Sequence, residues 1–191
     1  MDVSVNPAVC GRWCVKYLAG ALLMSSVAFG VGSASDAELP AVELQVKSTY
    51  LYNLPKFVRW PEPVLENSDN KLTICVIGHE DMRDYLYKLD DRQLPKNQLK
   101  VSYRNLDASL LGCHMVYFGV DKHLDIGSKL EWCHRNHVLT IGDQPGFVES
   151  GGIIGFSLID ERVRLVISRS ATRASGLQIS AKLLELAQVV D

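Results

Sequence analysis

The chain has 191 residues, 47% of them apolar and 22% charged, and a formal charge of −2. That is ordinary globular usage and enough chain for one domain. Beyond residue 34 there are 18 basic and 21 acidic groups, a balance that leaves no electrostatic footprint for nucleic acid or an anionic membrane surface.

In chain order, Arg12 and Lys16 precede an uncharged run, residues 17–31 (YLAGALLMSSVAFGV), followed by small residues in which Gly32 and Ala34 fit a small-x-small cleavage rule. This is the pattern of a secretory signal peptide. A membrane anchor is the alternative, but the run is shorter than the roughly 20 residues that span a bilayer. Cys10 and Cys14 lie before the run, so neither is placed to become a lipid-bearing first residue. Cleavage near Ala34 predicts an exported protein, with residues 35–42 a linker and 43–191 a single domain.

Residues 41–60 (AVELQVKSTYLYNLPKFVRW) put Val42, Val46, Tyr50, Leu54 and Val58 on one helical stripe, widened by Leu51 and Phe57. The spacing predicts an amphipathic helix. Pro55 lacks an N–H and crowds the carbonyl of Leu51, so the helix should kink or stop there. Tyr50, Tyr52, Phe57 and Trp60 make its second half aromatic, and at helical spacing such side chains belong more often to a core than to a binding surface.

Residues 72–78 (LTICVIG) form a continuous apolar run, the pattern of a strand buried on both faces in the middle of a sheet. A helix is expected over 81–89, a strand over 99–103, a short helical piece over 107–111, and a second apolar strand over 113–120 (CHMVYFGV). That spacing allows a crossover and parallel pairing with the central strand. A helix over 126–135, a strand over 138–141 and a loop over 142–152 (GDQPGFVESGG) follow. Strand patterns over 152–158 and 163–168, separated by IDER, read as a hairpin. Residues 177–190 carry Ile179, Leu183, Leu186 and Val190 on one stripe and predict a last helix packed on the sheet. The succession argues for an α/β three-layer sandwich with a mostly parallel sheet and an antiparallel edge hairpin.

After signal cleavage three cysteines remain, Cys75, Cys113 and Cys133. In an oxidising compartment two of them should pair. Cys75 and Cys113 belong to strands expected to be neighbours, which favours that pair; the alternative is three small buried hydrophobes. Catalytic patterns are weak. Gly151, Gly152 and Gly155 precede a strand instead of opening a helix, so they make a turn and not a phosphate cradle. Glu80, Asp81 and Asp121 imitate an acidic receiver cluster but read better as helix caps. Cys133 and His137 stand at i and i+4, with His134 between them, yet two ligands do not close a zinc site; His79, His114 and His123 are scattered. No metal or cofactor and no enzyme activity are expected.

Five segments in order, TYLYNLPKFVRWPE (49–62), LTICVIG, GCHMVYFG (112–119), LTIGDQPGFVESGGIIGF (139–156) and ASGLQISAKLLELAQVV (174–190), resemble the YfiR family of periplasmic proteins. The resemblance runs from about residue 43 to 190. It implies a small α/β domain in the periplasm that represses an inner-membrane diguanylate cyclase by binding its periplasmic sensor region. Lower cyclic di-GMP and less biofilm would follow, with release when an outer-membrane lipoprotein sequesters the repressor. It also implies a disulfide between Cys75 and Cys113. Pro55 stands where alanine is usual, Ser168 where asparagine is usual, and Cys133 has no partner for the second bridge of some members. Contact with the cyclase is expected at Tyr52, Arg59 and Trp60, because arginine, tryptophan and tyrosine most often anchor interfaces, and at the loop around Phe147. Core packing is the alternative for Trp60 and Phe147. A second copy of the chain is a further partner to consider. The competing function is a periplasmic small-ligand receptor, or an accessory to a sensor kinase or transporter.

Overall fold

The computed structural model describes residues 35–66, 69–78, 80–119 and 125–191; the signal pattern, His79, Asp121 and His123 lie outside them. Helix α1 (Ser35–Asn53) runs into a 3₁₀ turn (Leu54–Phe57), a two-residue strand β1 (Val58–Arg59) and helix α2 (Glu62–Glu66). Strand β2 (Lys71–Gly78), helix α3 (Arg83–Tyr87), strands β3 (Gln98–Arg104) and β4 (Met115–Gly119), helix α4 (Gly127–Arg135) and strand β5 (Leu139–Gly142) follow. Strands β6 (Ile154–Ile159) and β7 (Arg162–Ser168), helix α5 (Arg169–Ala174), strand β8 (Gln178–Ile179), helix α6 (Ala181–Leu184) and strand β9 (Gln188–Val190) end the chain.

Among the described residues the main sheet has the order β3-β2-β4-β5-β6-β7-β9. It is parallel except between β6 and β7. The central position of β2 follows from its composition. Ile74 and Val76 point into one core while Cys75 and Ile77 point into another, and Met115/Tyr117 and Val116/Phe118 on β4 divide the same way. The first core is closed by Leu51 of α1, by Leu54 and by Leu86 of α3; the second by Leu130 and Cys133 of α4 together with Phe147 and Val148. Helix, sheet and helix make the three layers. The β6–β7 hairpin turns on Asp160 and Glu161, both left-handed at φ 49° and 57°, the conformation that matches strand twist in a two-residue hairpin.

Several expectations change. Residues 35–42, expected as a linker, are the first turns of α1. The helix stops at Asn53 and passes into the 3₁₀ turn at Pro55, so Trp60 is not helical. The stripe chosen for its buried face holds in its second half, where Leu51, Leu54 and Val58 are core and Tyr50 and Phe57 pack against it; in the first half the core side is Leu44, Lys47 and Ser48, while Val42 is 57% exposed and Val46 stands outside the core. Residues 107–111 form turns, with the Ser109 hydroxyl accepting from the Leu111 N–H. The expected final helix over 177–190 breaks into β8, α6 and β9. Gln178 and Ile179 pair with β1, and Val189 and Val190 pair with Ile167 and Ser168, as β-branched residues do when a strand edge is open to them. The hairpin therefore lies beside the edge, and β9 forms the edge itself. Ser168 caps α5, its hydroxyl accepting from the Ala171 N–H at 3.1 Å. Asparagine is an equally good N-cap, which explains why serine serves where the family usually has asparagine.

Candidate functional site

The most polar buried arrangement fastens α1 to the end of the sheet. Lys47 is 6% exposed and sits one helical turn from each of Leu44 and Leu51. Its ammonium lies 2.8 Å from Asp143 Oδ2 and 2.6 Å from Glu43 Oε1. The Tyr117 hydroxyl donates to the same Asp143 oxygen at 2.8 Å. Asp143 can reach both because it follows Gly142, where β5 ends beside β4. Burial pulls the Lys47 pKa down, but the Asp143 and Glu43 carboxylates outweigh it and hold it above 10.5. Burial, reinforced by the Asp143 charge, pushes the Tyr117 phenol far up. The three side chains clamp α1 to the adjoining ends of β4 and β5. Its elements were invisible in the sequence except as a lysine inside the Leu44–Leu51 spacing.

A second junction surrounds the disulfide. Cys75 and Cys113 are bonded, with Cα atoms 5.7 Å apart. The sheet register sets Cys75 against Val116; Cys113 lies before β4, in the turn that folds over the second core, and reaches Cys75 from there. Beside it, His114 is buried. The Thr73 N–H donates to its Nδ1 at 3.0 Å, and the ring meets the Val64 backbone with its other nitrogen. The Trp60 indole N–H donates to the His114 carbonyl at 3.3 Å. Trp60 is thus a core residue tying β1 to the head of β4.

Of the four expected contact residues, Trp60 and Phe147 prove to be core. Phe147 is 2% exposed, 5.9 Å from the Phe118 ring, and lies between Gly142 and Gly152, where a Cβ at either would overlap its ring. Core packing prevails at both: the two glycines make room for the Phe147 ring, and the His114 carbonyl takes the Trp60 N–H. Arg59 is exposed and Tyr52 half-buried. Lys56 Nζ and Arg92 Cζ stand 4.4 and 5.6 Å from the Tyr52 ring centre, and the Tyr52 hydroxyl donates to the Gln93 carbonyl at 3.1 Å. Among the described residues neither cation meets a carboxylate within 4.0 Å. The Arg92 contribution was not foreseen, since 40 residues of chain separate it from Tyr52.

Cys133 is buried in α4, and burial pushes its thiol up to about 12. His137 Nδ1 is 2.8 Å from the Ser175 carbonyl. Among the described residues no group of three or more His, Cys, Asp or Glu is arranged to hold a metal ion, and no helix is long and apolar enough to cross a membrane.

A model of the YfiR/HmsC-like family matches residues 44–188. The chain belongs to that family. No curated protein matches it. Among solved structures, a conserved domain protein from Vibrio cholerae O1 biovar El Tor strain N16961 is similar at 13% identity and a TM-score of 0.52, with 78% of this chain and 60% of that one covered. The ABC domain from Streptococcus pneumoniae in complex with L-Trp is similar at 12% identity and 0.51, with the same coverages. This YfiR/HmsC-like chain thus spans about 60% of the length of those structures, and the likeness is one of fold.

Proposed function

We propose that the protein is a non-catalytic periplasmic regulator that binds the periplasmic sensor region of an inner-membrane diguanylate cyclase and represses it, lowering cyclic di-GMP. The observation that carries this reading is the YfiR/HmsC-like match over residues 44–188. Repression requires tighter binding to the inactive cyclase than to the active one, since a ligand indifferent to the two states shifts neither. Tyr52 and Arg59 are the contact residues, flanked by Lys56 and Arg92. Sequestration by an outer-membrane lipoprotein would release the cyclase.

The test is genetic and biochemical together. Deleting the gene should raise cyclic di-GMP and biofilm. Arg59→Glu should do the same while the purified protein melts at the wild-type temperature, because Arg59 is exposed and its β1 pairing with Gln178 uses backbone alone. Unchanged cyclic di-GMP on deletion, with the protein present in the wild-type periplasm, would reject this function and leave the small-ligand receptor.

A further inference from the structure

Val42, Val46 and Tyr50 of α1, with Gln45, Thr49 and Asn53 between them, line a trough of about 650 Å³ that Phe57, Leu186 and the core residues Leu54 and Leu183 complete. Val42 is 57% and Leu186 73% exposed. Soluble helices ordinarily confine apolar residues to one stripe, and a helix apolar on two sides is one that is covered on two sides. In this domain the sheet covers one.

The shape and charge of the trough select what covers the other. A two-fold pairing of this face would set one trough against another, leaving the middle unfilled, so a convex element is required. From Val42 to Asn53 the trough follows 12 residues of α1, about 16 Å from end to end at 1.5 Å rise per residue, which is the length of three turns of a second helix. Lys56 is the one charged residue in its lining; it stands at the Asn53 end, where its ammonium donates to Asn53 Oδ1 at 2.7 Å and lies over the Tyr52 ring that Arg92 also approaches. Both cations lack a carboxylate partner among the described residues.

We infer that the trough between α1 and α6 is the docking groove for an amphipathic helix of the membrane-bound partner, an apolar stripe at i, i+3, i+4 and i+7 with a carboxylate that meets Lys56 at one end. Helix-in-groove recognition of this kind takes its affinity from apolar anchors and its register from the terminal charge. The inference rests on the proposed regulator function and extends its contact surface from Tyr52 and Arg59 into the trough, the two meeting at Lys56.

The experiment complements the deletion strain with wild-type protein, Val42→Glu, Leu186→Glu or Lys56→Glu, reading cyclic di-GMP, periplasmic abundance, the melting temperature of each purified protein and its sedimentation. All three side chains are exposed, so the fold should survive. Val42→Glu and Leu186→Glu are expected to weaken repression about tenfold or more, as loss of an anchor does, at normal abundance and with unchanged sedimentation. Lys56→Glu should weaken it less and be restored by a lysine at the matching carboxylate of the cyclase. If deletion raises cyclic di-GMP yet all three variants repress fully, the groove assignment is wrong and the regulator function stands. A variant that dissociates a wild-type dimer assigns the trough to a second copy and overturns the inference. Unchanged cyclic di-GMP on deletion removes both.

Discussion

His114 is held as the neutral imidazole: its Nδ1 accepts from the Thr73 N–H, and the Val64 backbone takes the remaining ring proton. Protonating Nδ1 would set one donor against another. Burial pulls the pKa below 6.5, and the Val64 contact offsets only part of that. In the unfolded chain the ring titrates near 6.5, so the folded state binds fewer protons between the two values. The contribution to stability is therefore complete above about pH 6.5 and is lost as the pH falls through 6.5 towards the lower folded pKa. His114→Asn keeps an acceptor for Thr73 and does not titrate. It should be less stable than wild type at pH 8, having lost the Val64 contact, but should lose less on going to pH 5. Melting temperatures across that range give the answer, and equal slopes would remove His114 as the cause. At the same scale, Cys133 should resist alkylation in the native protein, since its thiol is buried and pushed up to about 12, and should react on unfolding.

At the scale of elements, α1 is attached by leucines on its core side and by one ion pair. Lys47→Met takes the ammonium away from the largely buried Asp143 carboxylate, and a buried pair broken from one side costs about 3–5 kcal/mol. Lys47→Met with Asp143→Asn removes both charges and should cost less than the two single changes summed, as urea denaturation would show; strict additivity would mean that the two do not act together. The clamp also explains what the sequence did and did not disclose. Strand β2 was legible because a run buried on both faces leaves no polar position to misread. The face of α1 was not, because the decisive core position is a lysine whose partner lies 96 residues away, and Val42 and Val46 drew the stripe to the wrong side. Residues 177–190 misled for a related reason: their helical period is real, but backbone pairing with β1 and β7 overrides it and turns Leu186 outward. Arg59 and Tyr52 were chosen by residue type, and the fold leaves Arg59 exposed and Tyr52 half-buried. Trp60 and Phe147 were not separable from them without the glycines and the His114 carbonyl that enclose their rings.

For the molecule as a whole, the Cys75–Cys113 bond closes a loop of 38 residues that contains α3 and β3 and joins the central strand to the head of its neighbour. In the chain-entropy account such a loop contributes about 4 kcal/mol, a large share of the ~5–15 kcal/mol that a domain possesses. Cys75→Ser and Cys113→Ser should each lower the melting temperature by roughly 10 °C for a domain of this size, the double change should add little, and reductant should bring the wild type down to them while leaving them unmoved. A loss of this size raises the unfolded fraction that cellular proteases remove. On the proposed function, both variants should therefore raise cyclic di-GMP through reduced abundance, whereas Arg59→Glu should raise it at normal abundance. Immunoblots of periplasmic extracts beside cyclic di-GMP measurements separate the two routes. Cysteine variants that stay abundant and melt normally, yet fail to repress, would show that the bridge shapes the binding surface directly instead of acting through stability.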